Sequence, residues 1–385
     1  MAGLTAAVVD GLLREGVAAM QRRDAETARA RFGAVTRDAP EIGPAWLLLA
    51  QACHLAGDPA AEDAALDRLL ALDADHVRGL IMKGDLRRAE ADARAATAFY
   101  TKAVAIAGGM PSIPPALASD LARVSAVLAA NTVDYATHLD RRLADAGLGA
   151  LDGRIGEAIA LATGRATLYP QAPTSFYVPG LPARPIYDTS AFGWVPAMEA
   201  ATPMIREELL AVMATDVAFP PYLTIDPRRP QRAHGLLGKA DWSALHLYQD
   251  GRPLPVNADR CPATMAALAQ APMPQIVGRS PMALFSRLEP GTHIPLHNGM
   301  LNSRLICHLP LLVPEGRCRM RVGNAVHHWR EGELLIFDDS IEHEAWNDSA
   351  ETRVILLFEI WHPDLNAGER AALTTIYEAV GDYGA

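Results

Sequence analysis

Residues 353–361 read Arg353-Val354-Ile355-Leu356-Leu357-Phe358-Glu359-Ile360-Trp361. This segment is predicted to be a β-strand, and because side chains alternate along a strand, Arg353 shares a face with Ile355 and Leu357. Shorter strands separated by turn residues are predicted before it: Ala283 to Leu288, Arg304 to Pro310, Arg317 to Val322, Ala325 to Trp329, Leu334 to Phe337 and His343 to Trp346. Many evenly spaced strands of this kind predict a double-sheet jelly roll, or double-stranded β-helix.

Residues 9–108 have a different character, because they are rich in alanine, leucine and arginine and follow a helical period. Three sets share the i, i+4, i+7 spacing of one helix face, at intervals of 36 and 32 residues: Ala28-Phe32-Val35, Ala64-Arg68-Ala71 and Ala96-Tyr100-Ala103. Ala52 and Gly84 are small residues expected where partner helices approach closely. These segments resemble tetratricopeptide repeats, helix-turn-helix units of about 34 residues that stack. A plain helical bundle is the alternative.

The composition changes at residues 169–173, Tyr169-Pro170-Gln171-Ala172-Pro173, after which prolines and glycines recur as in a loop-rich β domain. We therefore predict an α+β multidomain chain. Its parts are a tetratricopeptide-like domain at residues 1–110, a helical bridge at 111–168 and a jelly-roll domain at 169–385. Residues from about 113 to 165, including Ala116 to Ala130 and Asp140 to Leu148, are expected to continue helical, and Ala197 to Met213 is the one obvious helix expected after them.

The bulk composition disfavours several classes of protein. A formal charge of -10, from 35 basic and 45 acidic residues among 385, argues against unspecific binding to nucleic acid or to an anionic membrane. The first residues lack the pattern of a secretory signal, and no window is apolar enough to span a bilayer, so a cytoplasmic location is expected. The richness in alanine and arginine suggests a bacterial source. Four scattered cysteines indicate neither a disulfide framework nor a zinc site.

Histidines concentrate near the C-terminal end of the sequence. Of the 12 histidines, seven lie between His293 and His362, and such a concentration is common around a metal ion. His297 and His343 are predicted to be the ligands. His293 is not expected to join them, because Pro295 prevents the helix that would bring His293 and His297 to one metal. Structural roles are expected for His327, His328 and His362.

Arg353 supports this interpretation of the histidine pair. On a strand face that lines the interior, an arginine is a desolvated cation that requires an anion, and no acid shares its face within the next five residues. A bound dicarboxylate held by the guanidinium fork is therefore a natural partner. The alternative is an internal salt bridge to Asp338, Asp339 or Glu342. By alternation, His308 shares a face with Arg304 and Ile306 and can point into the same cavity.

The C-terminal part of the chain also contains a series of short motifs: Phe285-Ser286-Arg287-Leu288-Glu289-Pro290-Gly291-Thr292-His293, His297-Asn298-Gly299, Arg304-Leu305, His308-Leu309, Asp338-Asp339-Ser340, Glu342-His343-Glu344-Ala345-Trp346 and Trp361-His362-Pro363. In combination they resemble the catalytic core of the aspartyl/asparaginyl β-hydroxylase family, which consists of Fe(II)- and 2-oxoglutarate-dependent dioxygenases. A looser likeness extends back to about residue 176. Animal members of the family also carry tetratricopeptide repeats before the oxygenase domain.

The resemblance implies how iron is bound. His297 and His343 match the two iron ligands of the family. Gly299 matches the position at which the family lacks the carboxylate of the usual two-histidine, one-carboxylate triad. Asp339 would lie beside the ligands, able to hydrogen-bond a metal-bound water.

The resemblance also implies how 2-oxoglutarate is bound. Arg353 and Ser286 match the residues that hold its distal carboxylate, and His308 matches one that contacts its C1 end. Animal members read Arg-x-Arg-x-His where this chain has Ile306 in place of the second arginine. Arg304 is therefore the arginine that would have to compensate at the C1 carboxylate.

The expected cofactors are Fe(II), 2-oxoglutarate as co-substrate and O2. The family likeness implies hydroxylation of the β-carbon of Asp or Asn in a peptide or protein, which a helical-repeat groove could present. One alternative keeps the chemistry but acts on a lipid A acyl chain or a free amino acid. Another is halogenation, because the missing carboxylate leaves room for chloride on iron. The last is a non-catalytic repeat scaffold, for which Ile306 is the best argument.

Overall fold

The computed structural model describes residues 5–149, 151, 153–215, 217–224, 235–315 and 317–383. The chain divides into two compact units, Met1–Arg165 and Ala166–Ala385. The first unit is helical, and the second contains two antiparallel sheets. Within the described ranges, no helix has the length and apolar character needed to cross a membrane.

The first unit consists of helical hairpins followed by a long helix. Its helices are α1 (Ala6–Gln21), α2 (Ala25–Asp38), α3 (Gly43–Ala56), α4 (Pro59–Leu72), α5 (Val77–Ala89), α6 (Ala93–Gly108), α7 (Pro115–Asp145) and α8 (Gly153–Ala162). Helix α7 runs without a break through residues 116–130 and on to Asp145, within the part of the chain expected to continue helical. Residues 131–139 contain no proline or glycine to interrupt it.

The turns inside the three hairpins share one construction and recur every 34 residues. An aspartate side chain caps the second helix of each hairpin by accepting from the backbone N–H three residues on, at Asp24, Asp58 and Asp92. The residue before each cap has φ between 61° and 69°, at Arg23, Gly57 and Ala91. A left-handed residue reverses the chain, and the aspartate then starts the next helix. The tetratricopeptide-like repeat is thereby confirmed.

The buried face of the second repeat lies two residues before its predicted position. The sets Ala28-Phe32-Val35 in α2 and Ala96-Tyr100-Ala103 in α6 are buried as predicted. In α4 the buried set is Glu62-Leu66-Leu69, which keeps the 34-residue period. The predicted set Ala64-Arg68-Ala71 is wrong, because all three residues are exposed. Apolar spacing alone does not determine the helix register, whereas the N-cap at Asp58 does.

Small residues allow the two helices of a hairpin to approach. A Cβ on Gly84 would lie 2.6 Å from Cδ1 of Tyr100, and a Cβ on Gly16 would lie 2.6 Å from Cζ of Phe32. Ala50 holds the same place in the second hairpin and packs with Leu66. Ala52, which was predicted for that place, is buried instead against Ala28 and Phe32 of the preceding repeat.

The second unit is a jelly roll with helices. Its helices are α9 (Val195–Ala200), α10 (Thr202–Met213), α11 (Pro255–Ala258), α12 (Pro262–Leu268) and α13 (Ala367–Asp382). Its strands are β1 (Ile186–Tyr187), β2 (Trp242–Gln249), β3 (Arg252–Pro253), β4 (Ala283–Leu288), β5 (Thr292–His297), β6 (Arg304–Leu312), β7 (Cys318–Val322), β8 (Ala325–His328), β9 (Leu335–Phe337), β10 (His343–Asn347) and β11 (Arg353–Trp361). They form sheets of order β1-β9-β6-β11-β4-β2-β3 and β5-β10-β7-β8.

Every strand predicted from the sequence is present, and β4 and β11 have the predicted bounds. Strands β1, β2, β3 and β5 were not predicted. Pro295 masks β5 in the sequence, but it is tolerated because β5 is an edge strand. The single helix expected from Ala197 to Met213 is two helices, α9 and α10, since Pro203 cannot continue a preceding helix. Helices α11, α12 and α13 were also missed.

Two apolar layers lie on the two faces of the larger sheet. Helices α9, α10 and α12 cover one face, where Val354, Leu356 and Phe358 of β11 are buried. The other face packs against the smaller sheet, and Ile355 and Leu357 point into that space. The predicted alternation of β11 is confirmed, and it places Arg353 between the sheets.

Candidate active site

His297 and His343 face each other between two strands of the smaller sheet. His297 ends β5, His343 begins β10, and the two are Cα partners. Their ring centroids are 4.0 Å apart. The ring of His293 instead stacks on Trp346 at 5.0 Å, and its Nε2 lies 2.9 Å from Oε2 of Glu344. Of the two histidines that flank Pro295, His297 faces His343, whereas His293 contacts Trp346 and Glu344.

Backbone carbonyls determine the tautomer of both rings. Nδ1–H of His297 donates to the Pro295 carbonyl at 2.8 Å, and Nδ1–H of His343 donates to the Ile341 carbonyl at 2.9 Å. Because a carbonyl oxygen only accepts, each ring holds a hydrogen on Nδ1, so Nε2 is the nitrogen through which either ring would bind a metal. Burial, and secondarily His297, lower the pKa of His343 to about 3, so this ring stays neutral.

The donor set fits a metal that takes two imidazoles from the protein. Across the described ranges, no group of three or more His, Cys, Asp or Glu residues is arranged to hold a metal ion. The imidazoles of His297 and His343 line the same cavity and are the candidate donors for a metal. Imidazole suits Fe(II) among other transition metals.

Asp339 fills the place of the side chain that Gly299 lacks. A Cβ on Gly299 would lie 2.5 Å from Oδ1 of Asp339 and still closer to Oδ2. The backbone N–H of Gly299 also donates to the Asp339 carbonyl at 2.6 Å. Burial raises the pKa of Asp339 to about 6 although Arg304 opposes it. A carboxylate from a different segment thus stands beside the histidine pair.

Arg304 turns into the cavity and bridges two acids. Its Nη2 lies 3.2 Å from Oδ2 of Asp339, and its Nη1 lies 3.1 Å from Oε2 of Glu359. The other oxygen of Glu359 accepts from the backbone N–H of Met282 at 3.0 Å. Glu359 is also the cross-strand partner of Ile306. The position that lacks an arginine therefore faces an acid whose charge Arg304 neutralises.

Arg353 is 1% exposed, and it forms no ion pair within the described residues. Its Nε and Nη1 are buried without a hydrogen-bond partner there. Burial lowers its pKa to about 10. The alternative of an internal salt bridge is wrong for this part of the chain. The acids considered for it are occupied elsewhere: Asp338 by Gln171 and Ser340, Asp339 by Arg304, and Glu342 by Arg321.

Ser286 and His308 lie on the strands beside Arg353. The indole N–H of Trp242 donates to Oγ of Ser286 at 3.2 Å. Because an indole only donates, the hydrogen of the Ser286 hydroxyl remains available to an anion. Burial lowers the pKa of His308 well below its usual value, with Arg353 as a secondary cause. Nδ1 of His308 has no partner among the described residues.

These side chains line one cavity of about 480 Å³ between the sheets. It contains every site residue predicted from the sequence: Ser286, His297, Arg304, His308, Asp339, His343 and Arg353. Neither His327, His328 nor His362 lines it. Sequence reasoning missed Tyr222, Trp242 and Met300, which also line the cavity. The apolar segment that begins at Trp242 is a strand signal that could have revealed Trp242 itself.

Residues 199–363 match the family model described as "Aspartyl/Asparaginyl beta-hydroxylase". The chain is 36% identical over 205 residues to the human protein named "Aspartyl/asparaginyl beta-hydroxylase", covering 52% of this chain and 26% of that protein. It is 38% identical over 181 residues to the "Ornithine lipid ester-linked acyl 2-hydroxylase" of Rhizobium tropici, covering 46% of this chain and 61% of that protein. The chain thus spans about a quarter of the first relative and about six tenths of the second.

Among solved structures, the Yersinia enterocolitica type III secretion translocator chaperone SycD aligns with 33% of this chain and 91% of its own. The sequence identity is 15% and the TM-score 0.30.

Proposed function

We propose that this chain, whose residues 199–363 match the aspartyl/asparaginyl β-hydroxylase family model, is an Fe(II)- and 2-oxoglutarate-dependent dioxygenase. The observation that carries the proposal is the convergence on one cavity of two imidazoles, a carboxylate and an arginine that pairs with no acid among the described residues. When bound, iron with 2-oxoglutarate and O2 supplies an oxidant that inserts one oxygen atom into a C–H bond. The co-substrate leaves as succinate and CO2.

His297 and His343 would hold the iron through Nε2, in the tautomer that the Pro295 and Ile341 carbonyls impose. No proton has to leave His343 near neutral pH, since its pKa is already far below 7. Asp339 would accept a hydrogen bond from a water molecule next to the pair, and Arg304 keeps its carboxylate in position.

Arg353 and Ser286 would bind the distal carboxylate of 2-oxoglutarate through donors that the described residues leave unused. His308 would contact its C1 end as a neutral ring. Arg304 would be the cation nearest that end, because position 306 is an isoleucine. Its charge is already shared by Asp339 and Glu359, so we expect weaker binding of C1 than a second arginine would provide.

Two alternatives from the sequence receive less support. Halogenation would place chloride where residue 299 lacks a side chain, but the Asp339 carboxylate takes that space and would repel an anion. A buried cation that pairs with no acid among the described residues lowers stability unless a ligand compensates its charge. A non-catalytic scaffold gives no reason for Arg353 to be such a cation.

For the substrate, we propose the β-carbon of an Asp or Asn residue in a peptide or protein. The family name and the three helical repeats, which would hold an extended segment, support this choice. A second candidate is an acyl chain. It is favoured by the likeness to a relative named as an acyl hydroxylase and by the apolar lining of the cavity at Leu223, Leu237 and Met300.

The test has two stages. First, purified protein supplied with Fe(II), 2-oxoglutarate and O2 is assayed for succinate, with His343→Ala as the matched control. No turnover above that control at any iron loading would contradict the proposal. Second, whole-proteome and lipid extracts from cells with either form are compared by mass spectrometry. A gain of one oxygen on Asp or Asn supports the peptide substrate, and a gain on an acyl chain supports the second candidate.

A further inference from the structure

Trp329 directly follows β8 and lies against Arg353, which pairs with no acid in the part of the chain that the structure describes. The guanidinium carbon of Arg353 lies 4.7 Å from the centroid of the Trp329 ring. Trp329 is 4% exposed and belongs to the apolar layer between the sheets. It does not line the cavity, so any effect it has on a ligand must pass through the lining residues that it contacts: Arg353, and His308, whose ring centroid lies 5.8 Å from that of Trp329.

The choice of tryptophan at this site is not explained by packing. Its indole N–H is buried and has no acceptor among the described residues. Buried indoles normally find an acceptor, and a leucine or phenylalanine would fill a core position without leaving a donor unpaired. The face of the indole does interact, because tryptophan attracts a cation more strongly than tyrosine or phenylalanine does.

An aromatic face and a carboxylate stabilise a buried guanidinium in different ways. A carboxylate accepts the N–H groups of the fork and competes with any anionic ligand for them. An aromatic face attracts the charge without accepting those hydrogen bonds. Nε and Nη1 of Arg353 are in fact left without acceptors within the described ranges. The ring can therefore hold the cation in place while its donors remain available.

We propose that Trp329 is a positioning residue that keeps Arg353 available for the distal carboxylate of the keto acid, and so sets the preference for a keto diacid over a keto monoacid. This inference rests on the proposed function. It predicts that loss of the ring weakens binding of 2-oxoglutarate and leaves binding of 2-oxobutanoate, which lacks the distal carboxylate, unchanged.

The experiment measures both affinities by calorimetry on full-length protein loaded with Mn(II), without turnover. Trp329→Leu is expected to weaken 2-oxoglutarate binding about tenfold or more and to change 2-oxobutanoate binding less than about twofold. Trp329→Phe keeps a ring and is expected to lose only a few-fold. The affinity for Mn(II), measured separately, should match wild type in both variants.

Trp346→Leu is the matched control, because Arg319 lies over that ring at 4.5 Å outside the cavity. It should bind both keto acids as wild type does. Equal losses for both keto acids in Trp329→Leu would overturn the inference. If Trp329→Leu does not fold, the inference is tested on Trp329→Phe, by the ratio of its affinities for 2-oxoglutarate and 2-oxobutanoate. If wild type binds neither keto acid, the proposed function itself fails, and that result is distinguishable from failure of the inference alone.

Discussion

The carboxylate of Asp339 occupies the space beside the backbone of Gly299 that a side chain at residue 299 would need. The two residues are also joined through their backbones, since the Gly299 N–H donates to the Asp339 carbonyl. An acid is thus present beside the histidine pair although the local motif His297-Asn298-Gly299 lacks one. Because it comes from a separate loop, its position depends on Arg304 as well as on its own backbone.

A single substitution that places an acid at residue 299 is therefore not expected to strengthen metal binding. Gly299→Asp places a Cβ against the Asp339 carboxylate and adds a like charge in a buried site. We expect weaker metal binding and a loss of about 1–3 kcal/mol in the free energy of unfolding. Gly299→Ala should show most of the stability loss without the charge. Metal titrations and denaturant melts measure both effects.

The double variant Gly299→Asp with Asp339→Ala removes the obstruction. It is expected to bind metal more tightly than Gly299→Asp alone and to recover part of the lost stability. If the single variant already binds metal as tightly as the double variant, Asp339 does not block the position.

His297→Ala and His343→Ala are each expected to lower Fe(II) affinity at least about a hundredfold, since each removes half of the imidazole donors. His293→Ala is the matched control, because that ring stacks on Trp346 away from the cavity. Its affinity should stay within about twofold of wild type. Iron titration under anaerobic conditions measures all three, and a comparable loss in His293→Ala would contradict the assigned pair.

Ile306→Arg adds a cation opposite Glu359, its cross-strand partner. Glu359 can then pair with the new arginine instead of with Arg304. Arg304 is then more available to bind the C1 carboxylate. We expect the Kd of 2-oxoglutarate to fall about tenfold. Ile306→Met, similar in volume but neutral, should leave it unchanged. If Ile306→Arg binds 2-oxoglutarate no more tightly than Ile306→Met does, the C1 carboxylate does not bind near residue 306.

Alanine substitutions at two helix glycines are expected to have opposite effects on stability, because only Gly84 lies where two helices approach closely. Gly84→Ala pushes a methyl group into the ring of Tyr100 and should lower the free energy of unfolding by about 1–3 kcal/mol. Gly11→Ala, inside α1 with no atom within 4 Å of the new Cβ, should raise it by about 0.5–1 kcal/mol. Denaturant melts of the full chain test both signs.

Buried histidines predict that the metal-free chain loses stability as the pH falls. Burial lowers the pKa of a set of histidines in the second unit: His246, His308, His327, His343 and His362. Unfolding exposes them to their ordinary pKa near 6.5, so the unfolded chain binds more protons and stability rises with pH up to that value. Asp338 and Asp339, whose pKa values are raised by burial, act in the opposite direction above their ordinary pKa, for Asp339 up to about pH 6.

With more histidines than such acids, net proton uptake on unfolding is expected at pH 6. Calorimetry of unfolding in two buffers of different ionisation enthalpy measures this uptake. His362→Gln should reduce it, because that ring is fully buried against Tyr187. Net proton release on unfolding at this pH would contradict the prediction.

Much of the fold was predictable because it depends on local spacing. The alternation of β11 placed Arg353 on the inner face, and the turn residues delimited the other predicted strands to within one or two positions. The second repeat was misaligned because apolar spacing allows several registers. Asp24, Asp58 and Asp92 recur at the period that resolves them. Strand β5 was missed because the penalty for a proline depends on whether the strand is an edge, which is a property of the whole sheet.

The sequence by itself determined which chemical groups are present: two separated histidines, an arginine on an inward strand face, and a glycine where a carboxylate is usual. Only the tertiary structure decided that the rings face each other at 4.0 Å, that Asp339 fills the gap at Gly299, and that the guanidinium of Arg353 lies over the Trp329 ring. The reason is that each of these contacts joins residues on different elements. Local periodicity determines the face on which a side chain lies, but the pairing of strands and the packing of sheets determine what it meets there.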